Sequence, residues 1–190
     1  MAFDDLTIRI ATPEDAPHLS KIYAPFVTDT AISFEFVAPD EQEFRRRITR
    51  TLEAYPYLVA VCGNEIIGYA YAGPFIARPA YDHCAEASIY VAQGCHRRGV
   101  GKALYEHLER LLRDMGVINL YACVGYPEKE DEYLTFNSAQ FHEHMGFQTV
   151  GMFRNSGYKF GRWYHMVWME KLLVPHSSSP TPRKGFRDLQ

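Results

Sequence analysis

No two of the four cysteines, Cys62, Cys84, Cys95 and Cys123, form a C-x-x-C pair. Their spacing offers no clustered ligand set for zinc, so no metal site is expected. Three fall in or beside strand-like segments, which points to reduced, mostly buried thiols. No apolar run is long enough to span a bilayer, which argues against a membrane protein. The opening residues, MAFDDLTIRI, lack a positive leader followed by an apolar core, so a soluble cytoplasmic protein is expected. Internal repeats are absent as well. Charge of one sign is scarce, with a formal net charge of -3. That argues against a nucleic-acid binder driven by bulk charge and leaves room only for a local basic patch, and any anion site must be built from a few local groups.

What is present is a core. Hydrophobic residues make up 47% of the 190-residue chain, enough for one domain with a buried interior. LTIRIA alternates as a strand does, and Thr12 with Pro13 opens a helix running through Tyr23 and Phe26. SFEFV reads as a short extended piece. Asp40 caps a second helix, with Glu43 placed for a capping-box variant. YLVAVCGNEIIGYAYAG is a hairpin turning at Gly63-Asn64, and CAEASIYVA is a strong strand. Leu104, Leu108, Leu111, Leu112 and Met115 recur at helical spacing. VINLYACVG is a strand, NSAQFHEHM is a short helix ending at Gly146, and two strands close the pattern. The order β-α-α-β-β-β-α-β-α-β-β mixes hairpins with helical crossovers, which predicts a mixed sheet in an α/β (α+β) domain over 1–173. Residues 174–190, PHSSSPTPRKGFRDLQ after the first, read as a flexible tail.

Between CAEASIYVA and the third helix lies CHRRGVGK. A glycine-bearing turn entering a helix aims backbone N–H groups at one anion, and the helix dipole favours the same charge. Gly99 and Gly101 admit close approach of the backbone, and Arg97, Arg98 and Lys102 add charge. The expected ligand is a phosphate or pyrophosphate. The spacing fits neither the P-loop, G-x-x-x-x-G-K-S/T, nor the dinucleotide fingerprint, G-x-G-x-x-G.

EASIYVAQGCHRRGVGKALYEHL resembles the acetyl-CoA-binding core of the GNAT N-acetyltransferases, in which a strand leads into Q/R-x-x-G-x-G/A and a helix. His96 stands at the Gln/Arg position, a change that a loop working through backbone N–H groups should tolerate. SFEF, GPFIARPAYDHCAEASIYV, NSAQFHEHMGF and GYKFGRWYHMVWMEK are similar to the phosphinothricin N-acetyltransferase group, in order from Leu6 to Leu173.

The resemblance implies a single GNAT-fold domain that uses acetyl-CoA to acetylate a small amine. Phosphinothricin and methionine sulfoximine are the type substrates. On this reading the backbone of Ile89, Tyr90 and Val91 pairs with the pantetheine arm, and Val91 N–H polarises the thioester carbonyl. Arg97, Arg98, Gly99, Val100, Gly101 and Lys102 hold the pyrophosphate, and Asn137 contacts the cofactor. Glu86, among small and apolar neighbours, is the general base; partial burial raises its pKa toward a useful range. His142, where many relatives carry tyrosine, protonates the leaving thiolate. Arg78 and Tyr81 hold an anionic group of the substrate, and Phe34 forms an apolar wall. Tyr158, Lys159 and Trp163 close the pocket on the same reading, although an aromatic in a strand is more often core. Direct transfer in a ternary complex and a homodimer are expected. The alternatives are peptide or protein N-acetylation and a CoA-binding sensor without catalysis.

Overall fold

The computed structural model describes residues 5–189; the expected domain start at 1–4 and the final residue, 190, lie outside the described residues. Strands β1 (Leu6–Ile10), β2 (Tyr57–Cys62), β3 (Glu65–Pro74), β4 (Cys84–Val91), β5 (Asn119–Tyr126), β6 (Gln148–Lys159) and β7 (Arg162–Leu172) form one sheet in the order β1-β2-β3-β4-β5-β7-β6. Helices α1 (Ala16–Thr28), α2 (Glu41–Leu52), α3 (Val100–Met115) and α4 (Asn137–His144) complete the element order that the sequence predicts. Only β4 and β5 run parallel, because α3 carries the chain back between them; every other neighbouring pair is antiparallel.

The sheet is covered on both faces. Ala85 and Ala87 of β4 face a core built around α3, with Leu104, Leu108, Leu112 and Met115 fully buried in it. The opposite face meets α1 and α2 through Leu19, Phe44, Ile48 and a run of tyrosines. Asp40 caps α2 as expected, its Oδ1 accepting from Glu43 N–H at 2.7 Å. The SFEFV segment forms bends rather than a strand, since its backbone has no strand partner among the described residues. Cys62, Cys84 and Cys95 are half-buried and Cys123 is exposed, so the thiols are free but less enclosed than their strand positions suggest. Among the described residues no helix is long and apolar enough to cross a membrane.

Residues 174–189, which read by composition as a flexible tail, lie against the domain. His176 bonds Asn119 Oδ1 at 2.9 Å, and Lys184 N–H donates to Met115 O at 2.8 Å. Arg183 lies 4.9 Å above the Tyr55 ring, and Phe186, 1% exposed, enters the α3 core.

Candidate active site

The turn entering α3 has the shape of an anion cradle. Gly94, Arg97 and Gly99 all have positive φ, at 80°, 58° and 85°. A non-glycine residue held there costs on the order of 1–3 kcal/mol, so the surrounding turn must impose it on Arg97. The first i→i−4 bond of the helix is Ala103 N–H to Gly99 O at 2.9 Å, and no side chain caps its start. The N–H groups of Val100, Gly101 and Lys102 therefore lack intrahelical acceptors and point out of the helix end. The two glycines serve different ends. Gly99 faces open space and is required for its φ, whereas a Cβ on Gly101 would meet the Phe141 ring at 3.0 Å. Gly101 thus lets α3 and α4 pack closely, and the backbone approach to an anion rests on Gly99.

Next to this turn the sheet splits. β4 and β5 pair only from Cys84–Asn119 to Glu86–Tyr121, while β5 stays with β7 as far as Tyr126. On its other side β4 pairs with β3 through Val91–Gly68, and Ala92 N–H donates to Ile67 O at 2.9 Å. The alternation of an antiparallel ladder then assigns the peptide groups of Tyr90 and Ala92 to β3 and those of Ile89 and Val91 to the gap. An extended chain carrying amide groups can fill that gap as a strand would. Tyr90 is not placed this way: its ring packs 4.7 Å from Tyr23 on the α1 face.

Glu86 sits where the split begins, on the α1/α2 face, opposite Gly73 in β3 and Tyr121 in β5. Gly73 leaves open space over it. The carboxylate is half-buried and makes no hydrogen bond or ion pair among the described residues, and burial raises its pKa. Cys123 lies nearby; although the residue is exposed overall, desolvation of its sulfur, then the charge of Glu86, push its thiol up to about 11. It is therefore held as a thiol, not as a nucleophilic thiolate.

His142 differs from its expected place. It is buried against Tyr105, Phe141 and Phe147, between α3 and α4. Its Nδ1 lies 2.7 Å from Ser138 O and its Nε2 lies 2.9 Å from Tyr105 Oη. A carbonyl only accepts, so Nδ1 carries the proton and Nε2 takes one from the tyrosine. Burial lowers its pKa. Both nitrogens are engaged and the ring is neutral, so this state offers no proton to a leaving group. Ring nitrogen NMR should find the Nδ1–H tautomer, with protonation only below the usual histidine value near 6.5. A proton on Nε2 at neutral pH would contradict this arrangement.

The residues expected on the substrate side are not gathered in one place. Arg78 and Tyr81 line an open cavity of about 290 Å³ with Tyr55 and Arg183. Tyr81 meets Phe75 edge-on, and Phe75 stacks at 4.1 Å on Tyr121, the β5 partner of Glu86. Phe34 lies over Gly157 of β6. Tyr158 and Trp163 are exposed and pack on each other, and Asn137 begins α4. A second cavity, of about 230 Å³, lies under α1 and α2 on the Glu86 face. Tyr23, Tyr57, Tyr69, Tyr71 and Tyr90 wall it, and Glu35 and Arg47 lie at its edge, joined at 2.7 Å. Tyr71 is paired with Ser88, one step along the face from Glu86. The alternating Y-x-Y of Tyr69 and Tyr71 is the sequence signal that marks this wall, since period two places both on one face.

The family described as Acetyltransferase (GNAT) domain matches residues 8–168. A phosphinothricin N-acetyltransferase of Alcaligenes faecalis is 36% identical over 168 residues, 88% of this chain and 82% of that protein. The L-methionine sulfoximine/L-methionine sulfone acetyltransferase of Pseudomonas aeruginosa is 28% identical, over 92% of this chain and 98% of its own length. A crystal structure of a GNAT superfamily phosphinothricin acetyltransferase from Sinorhizobium meliloti, in complex with AcCoA, superposes with a TM-score of 0.83 at 28% identity. That match covers 96% of this chain and 99% of the other.

Proposed function

The chain belongs to the GNAT acetyltransferase family, and on that premise we propose that it acetylates the amino group of a small amino-acid-like molecule, with Glu86 as base. N-acetyltransferase activity and acetyl-CoA as acetyl donor come with the family and its named relatives. The substrate class is carried over from relatives named for phosphinothricin and methionine sulfoximine. The observation that carries the reading is one carboxylate. Glu86 is half-buried, unpaired among the described residues, and set at the mouth of the β4–β5 split.

The residues divide the work. The helix start at Val100–Lys102, with Arg97, Arg98 and Gly99, holds the pyrophosphate. The peptide groups of Ile89 and Val91 pair with the pantetheine arm, which lays the thioester beside Glu86; Asn137 contacts the cofactor from α4. Glu86 takes a proton from the substrate ammonium, directly or through a water. The freed amine forms a bond to the acetyl carbon while the carbon–sulfur bond breaks. Val91 N–H, fixed before the reaction, stabilises charge on the carbonyl oxygen. The nitrogen gives up its second proton as the tetrahedral adduct collapses, and the leaving thiolate is protonated from solvent or from Glu86, so of the two protons the ammonium loses overall one ends on the thiol and one in solvent. His142 acts here by position, through Tyr105, which supports the α3–α4 side of the split. The exposed Val150, Met152 and Phe153 on edge strand β6 suit the expected homodimer.

Thiol release from acetyl-CoA, followed across amines, tests the reading. The panel comprises phosphinothricin, methionine sulfoximine and sulfone, common amino acids, polyamines and short peptides. Turnover concentrated in the amino-acid analogues is the expected result. Preference for peptides would replace the substrate class, and CoA binding with no turnover of any amine would favour a sensor.

A further inference from the structure

The side chain of Lys159, at the end of β6, is almost wholly enclosed, at 3% exposure. Its ammonium donates to two backbone carbonyls, Val27 O at 2.7 Å and Ser33 O at 2.6 Å. Val27 belongs to the last turn of α1, whose carbonyls have no helical acceptor role left to fill. Ser33 lies in the loop between α1 and α2. A single charge therefore ties the helix end to the loop that follows it. Enclosing an ammonium is unfavourable unless its donors are satisfied, so these bonds fix the loop with little freedom.

The loop is tied to the tyrosine cavity. Ser33 Oγ and Tyr23 Oη are 2.7 Å apart, and the Tyr23 ring meets Tyr90 edge-on at 4.7 Å. Glu35 N–H donates to Ser33 Oγ at 3.2 Å, and the Glu35 carboxylate holds Arg47 at the cavity edge. Between them, Phe34 lies so close over Gly157, two residues before Lys159, that any Cβ there would overlap its ring. β6 thus grips two consecutive loop residues, Ser33 and Phe34, from one side.

We propose that Lys159 is a positioning residue for the amine substrate: by clamping Val27 and Ser33 it holds the loop that closes the tyrosine cavity, and so sets amine recognition without touching cofactor binding. This rests on the proposed reading, in which that cavity, beside Glu86, receives the substrate.

The test compares the full-length wild type with Lys159→Met and Gly157→Ala, using methionine sulfoximine and phosphinothricin as probe amines. Three quantities are measured: kcat and KM for the amine, the Kd of acetyl-CoA, and amide hydrogen exchange in residues 29–38. Both variants should lose about 10- to 100-fold in kcat/KM for the amine, chiefly through KM. Acetyl-CoA affinity should stay within about twofold, and exchange should rise in the loop but not in residues 94–103. If Lys159→Met does not fold, Lys159→Arg and Gly157→Ala carry the same readouts. An unchanged amine KM, an equal loss of acetyl-CoA affinity, or unchanged loop exchange would overturn the proposal. If the wild type acetylates neither probe, the substrate reading fails, and the clamp stands or falls on the exchange data.

Discussion

Glu86→Gln is expected to lower kcat by about 100- to 10,000-fold, the range a positioned general base supplies. The Kd of acetyl-CoA should be unchanged, because the proposed cofactor contacts are with Ile89, Val91 and the α3 turn. The substitution keeps shape and polarity and removes only the capacity to take a proton. It also has a pH signature. Burial raises the Glu86 pKa, and a base works only when deprotonated. Wild-type kcat should therefore rise with pH through a value above the usual carboxylate range, and the glutamine variant should lack that limb. Stability moves oppositely. The folded state holds the Glu86 proton more tightly than the unfolded chain does. The group's contribution is thus full below the unfolded value and declines as pH rises through the folded one. At neutral pH the variant should be at least as stable as wild type in urea titrations. Turnover within about threefold of wild type would remove Glu86 from the mechanism, since the loss of a base is measured in hundreds.

The sequence exposes features that depend on local period and spacing. Helix and strand order follows from them, because each face of each element must be apolar where it meets the sheet. Glu86 is legible for the same reason: with Ala85 and Ala87 turned to the α3 core, strand alternation leaves it on the other face. Features set by distant partners are not legible. His142 looks like an accessible proton donor until Tyr105, 37 residues earlier, occupies its Nε2. Lys159 reads as a pocket-closing residue of the last hairpin, yet its acceptors lie 132 and 126 residues away. Gly101 reads as part of an anion loop, but the constraint on it comes from Phe141 in another helix. Arg78 and Tyr81 are close to Glu86 in sequence, yet the loop carries them to a separate cavity. In each case the local pattern is compatible with several outcomes, and tertiary packing selects one.

The tail sharpens that distinction and yields the second large effect. Serine, proline and charge dominate residues 174–190, so average composition reads as disorder. One aromatic argues otherwise. Phe186 is 1% exposed and packs with Tyr55 and the α3 leucines in the main core, and Leu189 packs beside it. Phe186→Ala should destabilise the protein by about 3–5 kcal/mol, the usual cost of removing a buried phenylalanine. Against a total stability on the order of 5–15 kcal/mol, that is a large loss for a terminal segment. It should appear as a lower urea midpoint with little change in slope, because the transition remains that of one cooperative unit. Deletion of 174–190 should cost at least as much, since it also removes Arg183 from the Tyr55 ring and from the cavity of Arg78 and Tyr81. A loss below about 1 kcal/mol would place the tail among surface substitutions and end the folded unit at Leu173. A loss in the larger range makes residues 174–189 part of the domain. The C-terminal residues then act on the loop of Arg78 and Tyr81 through the same packing that stabilises the core.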